Sequence, residues 1–153
     1  EPVKRAEKAL KNFDTKMNVM ILEDSARTAL DAANSLKCDV GAIVKSLLFK
    51  AESNFILCLI SGDNKCSLNT LKKITNIKDI SMASPDEVKK QTGYTIGGVS
   101  PVGHKNRIKI LIDNSLERFN DLYAAAGHPN CVFKIGFKDL QKITNGKVKE
   151  LIE

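Results

Sequence analysis

The sequence predicts a single domain of mixed α/β (α+β) type, residues 1–153, with a barrel-like β-sheet flanked by helices, and three observations carry that expectation. Its 153 residues suit one unit able to bury a core without disulfides or metals. Apolar runs of strand length at residues 55–60 and 108–112 interleave with helical patterns but keep no strict βαβ rhythm. Two pairs of strand-like runs are joined by short turns, which favours hairpins and a mixed or antiparallel sheet, open to closure into a barrel.

Residues 4–13 read as a basic amphipathic helix, because Val3, Ala6, Ala9, Leu10 and Phe13 recur at helical spacing. Residues 17–22 form a short apolar strand. Asp24 or Ser25 can cap a helix from Ala26 to about residue 36, where Ala29, Ala32 and Ala33 allow close packing on a sheet. Strands at 42–49 and 55–60 flank Ala51-Glu52-Ser53-Asn54, a hairpin turn. Helices follow at 68–74 and 85–91, the second opened by Ser84-Pro85-Asp86-Glu87, a capping box with Pro at the first helical position, and closed by Gly93. The rest reads as a strand at 108–112, a helical turn at 116–120, strands at 122–126 and 131–135, and a helix at 138–144.

Lys and Arg number 24 against 18 Asp and Glu, a net charge of +6 that suits a polyanionic partner. His104, Lys105, Arg107 and Lys109 cluster just after a glycine-rich segment, either as a solvated face or as a basic rim beside a pocket, able to meet the phosphates of a polyanionic ligand. Aromatic content of 5% without Trp argues against base-stacking recognition of single strands. No apolar run approaches the roughly 18 residues of a membrane span, so no membrane association is expected. Cys38, Cys58, Cys66 and Cys131 are scattered without C-x-x-C spacing, as in a reduced cytoplasmic protein, and no metal site or cofactor is expected.

The segment Thr92 to His104 holds four glycines and a proline, a composition that brings bare backbone N–H groups close to a ligand oxygen. Lys45 stands in an apolar strand, where alternation groups it with Ile43, Leu47 and Phe49 on the more apolar face, opposite Val44, Ser46, Leu48 and Lys50. A lysine facing inward must be neutralised, lower its pKa, or open onto a pocket where a ligand supplies negative charge. No nucleophile elbow surrounds Ser100, no dinucleotide fingerprint includes Gly97, Gly98 and Gly103, and no P-loop is present.

The strand Ile43 to Phe49 around Lys45, Gly93-Tyr94, the loop Gly97-Gly98-Val99-Ser100-Pro101-Val102-Gly103, and Ile110-Leu111-Ile112-Asp113 followed by Leu116 resemble the YbaK family of prolyl-tRNA editing domains over about residues 25–150. The strand lysine and the G-x-x-x-P loop are its most specific elements. The resemblance implies a free-standing deacylase that hydrolyses a wrong amino acid from tRNA, most of all tRNA for proline, with prolyl-tRNA synthetase as a further partner. It implies Lys45 as the pocket lysine and Gly97, Gly98, Val99, Ser100 and Pro101 as the substrate-holding wall. His128, in Gly127-His128-Pro129-Asn130, resembles a histidine that some members place near the amino acid, against the plainer role of a turn histidine capping local backbone. Ser46, Ser100 and His128 are candidates to hydrogen-bond a hydroxylated substrate side chain. A binding module without turnover and a hydrolase of small free esters are the competing readings.

Overall fold

A computed structural model describes residues 1–24 and 28–152. Helix α1 (Pro2–Phe13) places its proline at the first turn, where the missing N–H removes no hydrogen bond, and buries Ala6 and Leu10. Strand β1 (Met20–Ile21) is shorter than expected. Helix α2 (Ala29–Leu36) is capped by Thr28, whose hydroxyl accepts from the Asp31 N–H at 3.1 Å. The cap is therefore not Asp24; Ser25 and Ala26 lie outside the described residues.

Strands β2 (Val44–Ala51) and β3 (Asn54–Ser61) form the expected hairpin, in register from Val44 opposite Ser61 to Ala51 opposite Asn54. Helix α3 (Leu68–Thr75), strand β4 (Ile80–Met82) and helix α4 (Pro85–Thr92) follow. The α4 capping box is complete, with Ser84 Oγ accepting from the Glu87 N–H at 3.2 Å and Glu87 Oε1 from the Ser84 N–H at 2.8 Å. Then come β5 (Lys109–Asp113), a 3-10 turn (Asn114–Arg118), the hairpin β6 (Leu122–His128) and β7 (Cys131–Ile135), α5 (Phe137–Thr144) and β8 (Lys147–Lys149). Strands β4 and β8 are absent from the sequence reading. Each is three residues long at a sheet edge, too short for alternation to register.

The strands form two sheets, β1-β7-β6 and β4-β2-β3-β5-β8, and not one barrel. Among the described residues the sheets share a single parallel bridge, Ile43 to Tyr123, in place of the continuous ladder that closure needs. The main core lies between them: Val44, Leu48, Leu57 and Leu59 from the larger sheet meet Ala124 and Phe133 from the smaller, with Ala6 and Leu10 of α1 and Leu140 of α5. The opposite face of the larger sheet carries Phe49, Ile56, Cys58 and Ile60 against Leu71 of α3. Both faces of β2 are thus covered, so the side of the strand on which a residue falls decides which compartment it enters. Among the described residues no helix is long and apolar enough to cross a membrane.

Candidate active site

A cavity of about 380 Å³ opens where α2, β2, β6 and the glycine loop converge. Its walls include Val44, Ser46 and Leu48 of β2, Ala124 of β6, and Gly97 and Val99 of the loop, while Met82 and Ile96, 60% and 63% exposed, stand at its mouth. Ile43 and Tyr123, the bridge between the sheets, also line it, so the cavity sits at the seam that the failed closure leaves.

The loop is a fixed wall. Its turn is closed by the Gly98 N–H donating to Thr95 O at 3.0 Å, which removes Gly98 from the set of free amides. The amides of Gly97 and Val99 have no acceptor among the described residues, and both residues line the cavity. Gly98 backs the wall instead: a Cβ there would fall 2.9 Å from the His128 backbone nitrogen. Ser100 and Pro101 are buried behind it, and the Ser100 hydroxyl accepts from the Val102 N–H at 3.3 Å. Ser100 is fully enclosed and is not a surface nucleophile.

Lys45 and Ser46 both line the cavity but lead to different sides of β2. Ser46 alternates with Val44 and Leu48, which pack with Val99, so the loop lies on the serine's side. Its hydroxyl is buried and is without a hydrogen-bond partner, alone in this among the described side chains. The half-buried Lys45 ammonium donates to the carbonyl of Asn64 in the turn after β3. Burial pushes its pKa below the usual lysine range, Asp63 partly offsets this, and Lys65 adds to it.

That turn is itself pinned. Asn64 Nδ2 donates to Ser115 Oγ at 3.3 Å, Ser115 Oγ donates to Asp113, and the fully buried Asp113 accepts the Leu151 N–H at 2.7 Å. Arg118 pairs with Asp63 at 3.1 Å and reaches Ser61 Oγ at 2.9 Å. Its hydrogen bond holds the Asp63 carboxyl below the ordinary range.

The remaining sequence candidates disperse. His104, expected on a phosphate-facing rim, turns inward: Nε2 lies 2.6 Å from Ser100 O and the ring meets Tyr94 edge-on at 6.1 Å. Burial pushes its pKa below the usual 6.5, with the Ser100 carbonyl pulling it back and Arg5 adding to the depression. Lys105 is exposed. Arg107 and Lys109 line a second cavity of about 430 Å³ by the β2–β3 turn. Lys109 stands opposite Ile56 and Lys45 opposite Ile60, so they differ by four residues along β3, roughly 13 Å at about 3.3 Å per residue. His128 is exposed and its Nδ1 accepts from the Asn130 N–H at 3.2 Å, the local backbone cap; neither it nor Gly127 lines the main cavity.

Sequence reasoning missed Arg5, whose guanidinium reaches the carbonyls at both ends of the loop, Gly103 at 2.7 Å and Gly93 at 2.9 Å. Nothing local marks it, since its partners lie 98 and 88 residues away. Tyr94, quoted only as part of the motif, is fully buried and donates to Val102 O at 2.7 Å.

Residues 23–143 match the family model described as "Aminoacyl-tRNA editing domain". A curated relative, uncharacterized protein YwhH of Bacillus subtilis, is 32% identical over 132 residues, 86% of this chain and 83% of that protein. The proline--tRNA ligase of Fervidobacterium nodosum is 32% identical over 103 residues, which are 67% of this chain but 18% of the ligase. A crystal structure described as that of a candidate trans-editing enzyme for prolyl tRNA synthetase superposes with a TM-score of 0.94 at 35% identity, covering 99% of this chain and 97% of that one. A lysine strand, a glycine wall and a fold shared from end to end with that structure agree with the family match, and the chain belongs to the aminoacyl-tRNA editing domain family.

Proposed function

We propose that the protein is a trans-acting aminoacyl-tRNA deacylase that hydrolyses the ester of a mischarged small amino acid on tRNA, most of all tRNA for proline. The observation that carries this reading is one cavity lined by Lys45, by the unpartnered amides of Gly97 and Val99, and by an apolar hollow that holds the buried, unpartnered hydroxyl of Ser46. The likeness over nearly the full length of both chains to the candidate trans-editing enzyme supports action in trans.

An aminoacyl ester is already reactive, so the enzyme's task is to place the carbonyl, admit water and stabilise the oxyanion. Water adds to the carbonyl carbon and the carbonyl oxygen becomes an oxyanion facing the Gly97 and Val99 amides. Collapse breaks the ester C–O bond, the ribose oxygen leaves with a proton derived from the attacking water, and the free amino acid departs. No protein nucleophile is needed. Lys45, with one ammonium hydrogen committed to Asn64, directs its remaining donors to the ribose and phosphate of the terminal nucleotide. Val44, Leu48 and Ala124 bound a small apolar space for the amino-acid side chain, with Ser46 as its polar contact.

The test is release of amino acid from tRNA for proline charged separately with alanine, cysteine, serine, threonine or proline. Rapid release of one wrong amino acid with proline spared is expected. No release from any, with tRNA still bound, would replace this reading with that of a binding module. Equal cleavage of small free esters would replace it with a general esterase.

A further inference from the structure

We propose that Arg5 is a positioning residue of the site, and that helix α1, which lies before the family-matched segment, is a working part of the catalytic loop's support. This rests on the deacylase reading above.

The glycine loop begins at Gly93 and ends at Gly103, and one guanidinium holds both ends. Arg5 Nε donates to Gly103 O at 2.7 Å, and Nη2 donates to Gly93 O at 2.9 Å and to Thr92 O at 3.4 Å. Its carbon lies 4.7 Å from the centre of the Tyr94 ring, so the cation also stacks on the residue that follows the first of these glycines. Tyr94 closes the same circuit from within, its hydroxyl 2.7 Å from Val102 O and 3.1 Å from Gly103 O.

Charge-assisted bonds of this kind are roughly twice as strong as neutral ones, and a planar fork can span two carbonyls that a point charge cannot. The approach is so close that a side chain on either glycine would displace the guanidinium or crowd the helix backbone. A Cβ on Gly93 would lie 2.3 Å from Arg5 Nη2, and one on Gly103 would lie 3.0 Å from the Arg5 carbonyl oxygen. Gly127, in the strand behind the loop, has the same relation to the start of the helix, with a Cβ placed 2.7 Å from the Pro2 carbonyl carbon. The helix thus seats three glycines around the site, and Arg5 sets the separation of the loop ends. That separation governs where the Gly97 and Val99 amides point. Arg5 is absent from the cavity lining, so it acts through the loop and not on the substrate.

The experiment measures kcat and KM for deacylation in the parent, Arg5→Lys and Arg5→Ala, together with amide hydrogen exchange of residues 95–103. Arg5→Lys keeps the charge but loses the fork. Both variants are expected to lose about 10-fold or more in kcat with KM within about two-fold, and their loop amides to exchange faster while the β2–β3 amides do not. Millimolar guanidinium ion should restore part of the Arg5→Ala rate and leave the parent unchanged. A parent-like kcat in either variant, or loop exchange that does not change, would overturn the proposal. A parent that releases no amino acid would instead sink the deacylase reading, while loop exchange would still test the role of Arg5.

Discussion

Lys45 and Ser46 are neighbours in sequence and line one cavity, yet their side chains serve opposite sides of β2: the ammonium reaches Asn64, and the hydroxyl shares the compartment of Val99. In the proposed mechanism the strand divides two tasks, holding the nucleotide and sensing the amino acid, between consecutive residues.

Replacing Lys45 by alanine removes a partly desolvated cation whose pKa is already depressed by burial, so the fold is expected to tolerate the change. Deacylation should fall by about 100-fold or more, the scale of misplacing the ester when a substrate-positioning contact is lost. Thermal unfolding and single-turnover deacylation of the same preparation check this together; retained activity in folded Lys45→Ala would remove the lysine from the mechanism.

Ser46→Ala should separate stability from specificity. Because the hydroxyl is buried without a partner, its loss is expected to leave the melting temperature unchanged or slightly higher. Release of a hydroxyl-bearing amino acid should fall relative to alanine, by about 10-fold or more for one lost hydrogen bond to a buried group. A uniform effect across serine, threonine and alanine substrates would exclude a sensing role.

Gly103→Ala combines two penalties. The residue has φ +71°, and its Cβ would fall 2.7 Å from the Tyr94 hydroxyl oxygen. A loss of at least about 1 kcal/mol is expected, more than backbone strain alone, measured by urea denaturation. Gly98→Ala is predicted to act differently, moving the loop off the His128 backbone and lowering kcat more than stability.

The His104 imidazole is held below its usual pKa of 6.5, chiefly by burial, so the folded state binds fewer protons than the unfolded one in the window between the two values. Stability therefore rises with pH through that window, and is lost on acidification from 6.5 downward. Melting temperatures at pH 5 and pH 7.5 are expected to differ more in the parent than in His104→Gln, which keeps a donor for Ser100 O. Equal differences in the two proteins would show that other groups carry the acid sensitivity.

Lys105 and Arg107, exposed near the second cavity, are expected to contribute sequence-independent phosphate contacts. Replacing both by alanine should weaken tRNA binding and reduce the slope of log affinity against log salt by about 1.4 to 1.8, from 0.7 to 0.9 per contact. An unchanged slope would place the acceptor stem elsewhere.

Elements with local punctuation were legible before the fold was known. Ser84, Pro85 and Glu87 announced α4, Gly93 ended it, and the turn at residues 51–54 joined the hairpin as read. What failed depended on distance. Whether two sheets close on each other is decided by contacts such as Ile43 with Tyr123, which no window along the chain contains. Alternation put Lys45 on the more apolar face of β2, but in a strand covered on both sides it has no power to say which side holds the loop. His104 read as part of a basic run, although its ring is drawn inward by Ser100 and Tyr94. Charge spacing records none of this.

Gly93, Gly103 and Gly127 are each pressed against α1, so together they are an imprint of that helix left elsewhere in the chain. In any relative that carries no such helix, the contact with α1 is lifted, but the positive φ of all three (+80°, +71° and +96°) still favours glycine, and Gly103 still meets the Tyr94 hydroxyl. Asn, the residue that best tolerates such a backbone in place of glycine, is then expected at positions 93 and 127, and an aligned set of sequences divided by the presence of the helix would show it.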